Sequence, residues 1–117
     1  MRYFITGARG QLGATLVDML PENSVFATNL PEYDVTDIEA MRNVFDSLSV
    51  DVVLLCAAYT NVVGCALNPE IANLVNAIGT KNIAHLCAEY GAAMVLLSTN
   101  EVFDGSKLYS YTCLLYT

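Results

Sequence analysis

Short apolar runs alternate with longer stretches of helical spacing, and this alternation limits the fold more than any other feature. Arg2 to Thr6 (RYFIT) is the first run. Gln11 to Leu20 follows with Leu12, Leu16, Met19 and Leu20 on one helical face, and Pro21 stops it. Ser24 to Thr28 (SVFAT) reads as a second strand. Thr36 to Glu39 fits a capping box, and the helix it opens carries Ile38, Met41, Phe45 and Leu48. Asp51 to Ala58 (DVVLLCAA) is the third and most apolar strand. Asn68-Pro69 opens a long helix, with asparagine suited to the N-cap and proline to the first turn. Its buried face should be Ile71, Leu74, Val75 and Ile78, then Ile83, Leu86, Cys87 and Tyr90, with Gly91 as terminator. Ala93 to Ser98 (AMVLLS) is the fourth strand. Strand–helix alternation argues for a parallel sheet with helices on both faces. Crossover handedness then favours a doubly wound α/β arrangement of about four strands.

The 117 residues amount to one domain. A 55% hydrophobic and 15% charged composition is the reverse of the disorder signature. The net charge of −7 repels phosphate backbones, and Arg2, Arg9, Arg42, Lys81 and Lys107 are too scattered to form a basic stripe. Nucleic acid is therefore not an expected partner. No apolar run approaches the roughly 20 residues that span a bilayer. The first residues already carry a strand pattern, so no signal peptide is expected. Cys56, Cys65, Cys87 and Cys113 share no Cys-x-x-Cys spacing, which suits reduced thiols in a cytoplasmic protein. No metal site is expected.

The first strand runs straight into Thr6-Gly7-Ala8-Arg9-Gly10-Gln11-Leu12-Gly13. One glycine of this G-x-x-G-x-x-G turn permits the tight turn. A second lets the backbone approach a pyrophosphate, and the third allows close helix packing. The helix start then offers free N–H groups and a positive dipole end to the phosphates. A glycine triplet alone is a weak signal, but here it lies between the first strand and first helix, the context a dinucleotide site demands. The second strand ends at Thr28-Asn29 without the usual ribose-binding acid. Arg9 in the loop would face a 2′-phosphate, which leans to NADPH and leaves NADH open. A solvated loop charge is the bland alternative for Arg9.

These motifs, together with Asp34-Val35-Thr36-Asp37, Ala57-Ala58-Tyr59-Thr60, Val75-Asn76-Ala77, Gly79-Thr80 and Ser98-Thr99 through Val102-Phe103-Asp104-Gly105, resemble the extended short-chain dehydrogenase/reductases. Within them the chain is most similar to the dTDP-4-dehydrorhamnose reductase family, from residue 1 to about 105. The resemblance implies a Rossmann-like NAD(P)-binding domain. Gly10, Gln11 and Leu12 would lie under the pyrophosphate, Asp34 and Val35 would flank the adenine, and Ala57, Ala58 and Tyr59 would line the cofactor. Thr99, beside Asn100, would hydrogen-bond the substrate carbonyl; a strand-end threonine bonding backbone is its alternative. Asn76 has the alternative of a helix residue facing a loop. The implied activity is reduction of a nucleotide-linked 4-keto sugar in dTDP-rhamnose biosynthesis, with a homodimer allowed for the full-length protein.

The sequence also departs from the family. Asn100-Glu101 stands where Asp-Tyr is usual, and Val63 and Ala66 stand where acids are usual. No tyrosine is followed four residues later by lysine. The family needs that pair, because a phenol of pKa near 10 requires help to donate a proton at neutral pH. The tail 106–117 (SKLYSYTCLLYT) is neither periodic nor capped. The expectation is an incomplete domain over residues 1–105, inactive alone, followed by an atypical tail that is disordered or foreign to the family. Two further readings stay open: a non-catalytic dinucleotide-binding regulator like that of methionine adenosyltransferase assemblies, and a sugar-nucleotide epimerase or dehydratase. Asn100 cannot act as the acid that the last of these requires.

Overall fold

The computed structural model describes residues 1–110. Its elements follow the expected alternation: β1 (Tyr3–Thr6), α1 (Gln11–Met19), β2 (Val25–Thr28), α2 (Ile38–Ser47), β3 (Val52–Leu55), α3 (Val62–Leu67), α4 (Pro69–Asn73), a π-helical turn (Leu74–Gly79), α5 (Thr80–Tyr90) and β4 (Ala93–Leu96). The strands form one parallel sheet in the order β2-β1-β3-β4. The chain therefore leaves β1 towards one edge and returns to its other side, so a topological switch point lies between β1 and β3. Right-handed crossovers put α1 on one face and α2 and α5 on the other. The doubly wound expectation holds.

The core lies on the α2/α5 face. Phe4, Val53 and Leu55 of the sheet pack against Met41, Val44 and Phe45 of α2 and Ile83, Leu86 and Cys87 of α5. Phe4 sits 6.0 Å from Phe45 in an edge-to-face arrangement and 5.8 Å from Phe26. Each such large side chain contributes about 1.5–3 kcal/mol on burial. Across the surface of this face, Arg42 of α2 pairs with Glu89 of α5 at 2.5 Å, and the Tyr90 hydroxyl donates to Asp46.

Several local expectations are corrected. The N-cap of α2 is Asp37, not Thr36: its Oδ1 accepts from the amides of Glu39 and Ala40, both at 3.1 Å. Thr36 instead turns back to the preceding residues, its amide and hydroxyl both donating to Asp34 Oδ1, at 2.9 and 2.8 Å. A helix that the spacing did not reveal, α3, precedes Asn68; Asn61 caps it by accepting from Gly64 N at 2.6 Å. Pro69 does start α4, but Asn68 turns its side-chain amide back to Gly64 O rather than capping it. The long helical run is interrupted by the π turn. Its C-terminal half buries Ile83, Leu86 and Cys87 as expected, whereas Ile71, Leu74 and Ile78 stay exposed, and Tyr90 is only partly covered. Leu12 and Met19 of α1 are exposed too, and Gly13 is that helix's buried residue. Periodicity identifies an apolar stripe but not whether anything packs on it.

Cys56, Cys65 and Cys87 are free thiols. Cys113 and most of the tail 106–117 lie outside the described residues. Among the described residues no helix is long and apolar enough to cross a membrane, and no cluster of three or more metal-ligating side chains occurs.

Candidate active site

The C-terminal ends of β1 and β3 diverge at the switch point, and a cleft of about 340 Å³ opens there. The glycine turn forms its floor. Gly7 has φ +65°, and a Cβ on it would lie 2.8 Å from Ala57 N, in the backbone leaving β3. Only glycine fits that approach. A Cβ on Gly13 would lie 2.3 Å from Gly7 O, so this glycine packs α1 against the turn itself. Gly10 is the N-cap of α1, with no side chain over the helix start. The amides of Gln11 and Leu12 fall in the first turn, where no helical carbonyl precedes them.

The turn is braced from two sides. Ala8 N donates to Thr28 O at 3.0 Å, and Arg9 N donates to Asn29 Oδ1 at 2.9 Å. Thr6 Oγ1 accepts from Ala57 N at 3.2 Å. Asn29 thus fixes the loop from the end of β2 while lining the cleft. On the β2 side the wall continues through Leu30, Tyr33, Asp34 and Val35. Tyr33 stands edge-on to Phe26, with ring centres 5.7 Å apart. On the β3 side the wall is Cys56, Ala57 and Ala58, with Val75 behind. Desolvation pushes the Cys56 thiol above its ordinary pKa, so it remains a neutral thiol at neutral pH.

Of the sequence-predicted residues, the cleft gathers Gly7, Arg9, Gly10, Asn29, Asp34, Val35, Ala57 and Ala58. Gln11, Leu12, Gly13 and Tyr59 adjoin it without lining it. Thr99 and Asn100 lie past the end of β4, at the same edge of the sheet but outside the cleft lining. Thr99 caps a short 3₁₀ turn, its Oγ1 accepting from Glu101 N at 3.2 Å. Sequence reasoning missed Leu30, Tyr33, Cys56 and Val75 as cleft residues; Cys56 read only as part of the most apolar strand, and Val75 as part of a buried helix face. Tyr33 carries no signal beyond its place beside Asp34.

A site with this shape accepts an extended anionic ligand. The cradle of Gly7 and Gly10 leaves backbone room for phosphates, the uncapped start of α1 supplies donors, and Arg9 is exposed at the rim. A family model described as RmlD substrate binding domain matches residues 1–113, a span that includes the glycine turn. The chain belongs to this family. It is 37% identical to a probable low-salt glycan biosynthesis reductase of Haloferax volcanii, over 90% of this chain and 39% of that protein. It is 40% identical to a dTDP-4-dehydrorhamnose reductase of Mycobacterium tuberculosis, over 89% of this chain and 34% of that protein. A crystal structure of the Bacillus anthracis dTDP-4-dehydrorhamnose reductase in complex with NADP superposes with a TM-score of 0.87 at 33% identity. That match covers 91% of this chain and 39% of the other. The chain thus spans less than half the length of these RmlD relatives, and its four-stranded parallel sheet is the Rossmann-like part they share.

Proposed function

We propose that residues 1–105 are the dinucleotide-binding part of an NAD(P)H-dependent reductase acting on a nucleotide-linked 4-keto sugar, of the dTDP-4-dehydrorhamnose reductase type. The observation that carries this reading is the cradle of Gly7 and Gly10, free of side chains and opening into the cleft at the β1/β3 switch point. The Bacillus anthracis relative bound to NADP supports it. When bound, the nicotinamide cofactor supplies the hydride that reduces the keto carbon.

The chain's own residues bind and orient. Amides of Gln11 and Leu12 hold the pyrophosphate, with Gly13 keeping α1 close beneath it. Asp34 and Val35 flank the adenine, and Arg9 faces a 2′-phosphate, which favours NADPH over NADH. Asn29 fixes the Arg9 backbone. Ala57, Ala58 and Tyr59 line the cofactor where β3 ends. Thr99 Oγ1 spends a lone pair on Glu101 N, which leaves its proton to donate to the substrate carbonyl beside Asn100. The proton for the developing alkoxide requires a Tyr-x-x-x-Lys pair, and these 117 residues contain none. The relatives are named as reductases, which does not favour the regulatory-subunit reading. We place the whole protein in the cytoplasm, binding no nucleic acid, with a homodimer allowed for the full-length protein.

Titration of the 117-residue chain with NADPH, followed by nicotinamide fluorescence, tests the reading. Saturable binding is expected, weakened at least about tenfold in Gly10→Val, whose side chain fills the cradle at an ordinary φ. Equal affinity in the variant, or no binding by the wild type, overturns it. The same chain is expected to show no turnover of a dTDP-4-keto-6-deoxy sugar with NADPH; measured turnover would remove the requirement for the missing pair.

A further inference from the structure

Two asparagines on one helical run bond backbone on the two sides of the cleft separately, Asn82 at Val35 in one wall and Asn76 at Tyr59, directly after Ala57 and Ala58 of the other. Asn76, inside the π turn, accepts from Tyr59 N through Oδ1 at 2.8 Å and donates through Nδ2 to Tyr59 O at 2.9 Å. It satisfies both backbone groups of one residue, as a neighbouring strand would, just where β3 has run out of partners on its way along the cleft. Asn82, half-buried on the first turn of α5, donates from Nδ2 to Val35 O at 3.0 Å and Thr36 O at 3.2 Å. Between them Gly79 presses on Val35: a Cβ there would lie 2.6 Å from Val35 Cγ2. Thr80 Oγ1 donates to Asn76 O at 2.7 Å, occupying a carbonyl of the widened turn. A π turn holds one residue more than an α turn and changes which face the following side chains occupy.

We infer that Asn76 and Asn82 are positioning residues for the dinucleotide, each setting one wall of the cleft, and that the π turn fixes the angle between them. Asn82 and Gly79 hold the Asp34–Val35 wall; Asn76 holds the backbone at Tyr59 and, through it, Ala57 and Ala58. The ligand assignment rests on the proposed function; the division into two clamps rests on the hydrogen bonds alone. Neither asparagine lines the cleft itself. Each acts by holding backbone that would otherwise leave polar groups unpaired.

The test is a split between two ligands in the 117-residue chain. NADPH contacts both walls, and 2′,5′-ADP contacts the adenosine wall only. Asn82→Ala is expected to weaken both ligands by about tenfold, the effect of losing hydrogen bonds to two carbonyls. Asn76→Ala is expected to weaken NADPH by a similar factor and to leave 2′,5′-ADP within about twofold. Asn76→Asp keeps the acceptor for Tyr59 N but sets a second carboxylate oxygen against Tyr59 O in place of the donor, so it should recover none of the NADPH affinity. Amide exchange supplies a readout without ligand. Asn76→Ala should speed exchange at Tyr59 and spare Thr36 and Asp37, and Asn82→Ala should do the reverse. Equal losses on both ligands by both variants, or exchange that rises uniformly, overturns the two-clamp assignment. If the wild type binds neither ligand, the dinucleotide reading falls, and the exchange pattern alone decides for or against separate clamps.

Discussion

The two ends of the sheet are finished differently. On the α2/α5 face, Phe4, Met41, Ile83 and Leu86 are fully buried, and the surface above them is laced by Arg42–Glu89 and Tyr90–Asp46. Around β4 and the α3–π segment the same kinds of residue stay open: Val95, Leu96 and Leu97 are each about half exposed, and Val62 is 79% exposed. The open region is the more apolar of the two in sequence: Val62–Leu67 (VVGCAL) carries no charged residue, whereas Ile38–Ser47 (IEAMRNVFDS) carries Glu39, Arg42 and Asp46. The difference shows that hydrophobicity alone does not stabilise an element; it must meet a partner surface that removes it from water. The first region should therefore carry nearly all the stability of the chain, and the second should govern how the chain behaves towards its neighbours.

The largest expected effect breaks the comparison at its stronger side. Ile83→Ala should cost about 2–5 kcal/mol, since it empties a fully buried site shared by α5 and the sheet. Val95→Ala, at the exposed edge, should stay within about 0.5 kcal/mol. Urea unfolding of the two variants measures the contrast. Similar losses would mean that the edge carries as much packing as the core.

The alternation and the glycine turn were legible because each depends on neighbours in sequence. A strand followed at once by Gly7, Gly10 and Gly13 needs no distant information to read. The α2 cap failed at this same scale, since Asp34-Val35-Thr36-Asp37 offers several capping side chains and only geometry shows which Asp34 engages. Helix α3 was hidden because Val62, Val63 and Gly64 are weak helix formers, and the Asn61 cap is a local cue easily outweighed. The two clamps were legible to different degrees. Asn76 stands in a motif, with a helix residue facing a loop as its alternative reading, and its bonds to Tyr59 are of that kind; the partner, 17 residues away, was not readable. Asn82 carried no signal, because Val35 lies 47 residues from it and nothing local marks it as more than a polar residue in a helix. The exposure of Ile71, Leu74 and Ile78 was illegible for a related reason: their spacing fixes a stripe, and the partner of a stripe is a tertiary fact.

The next prediction sharpens the weaker side. Strand β4 pairs with β3 on one side, and among the described residues its other side has no strand. Such an apolar edge recruits other chains. The 117-residue chain should self-associate with rising concentration. Val95→Lys should delay this in light scattering while changing stability by no more than about 0.5 kcal/mol. A wild-type chain that stays monomeric across the same range would show that the edge is already protected.

The smallest effect tests whether the surface lacing over the core matters. Tyr90 donates its hydroxyl to Asp46, and its ring packs 5.3 Å from Phe45. Its pKa is raised, first by the hydrogen bond to Asp46 and then by desolvation, with Arg42 opposing. A raised folded-state pKa favours the neutral phenol in the folded chain. The contribution is therefore complete below the ordinary tyrosine pKa of about 10 and is lost as pH climbs through the higher folded value. Tyr90→Phe keeps the ring against Phe45 and removes only the hydroxyl. Unfolding free energies of the two proteins should run parallel up to about pH 10, with the wild type then falling faster until the two converge. Curves that stay parallel throughout the alkaline range would assign the sealing of this face to packing alone, with the Tyr90–Asp46 contact as a solvated pair that adds nothing to it.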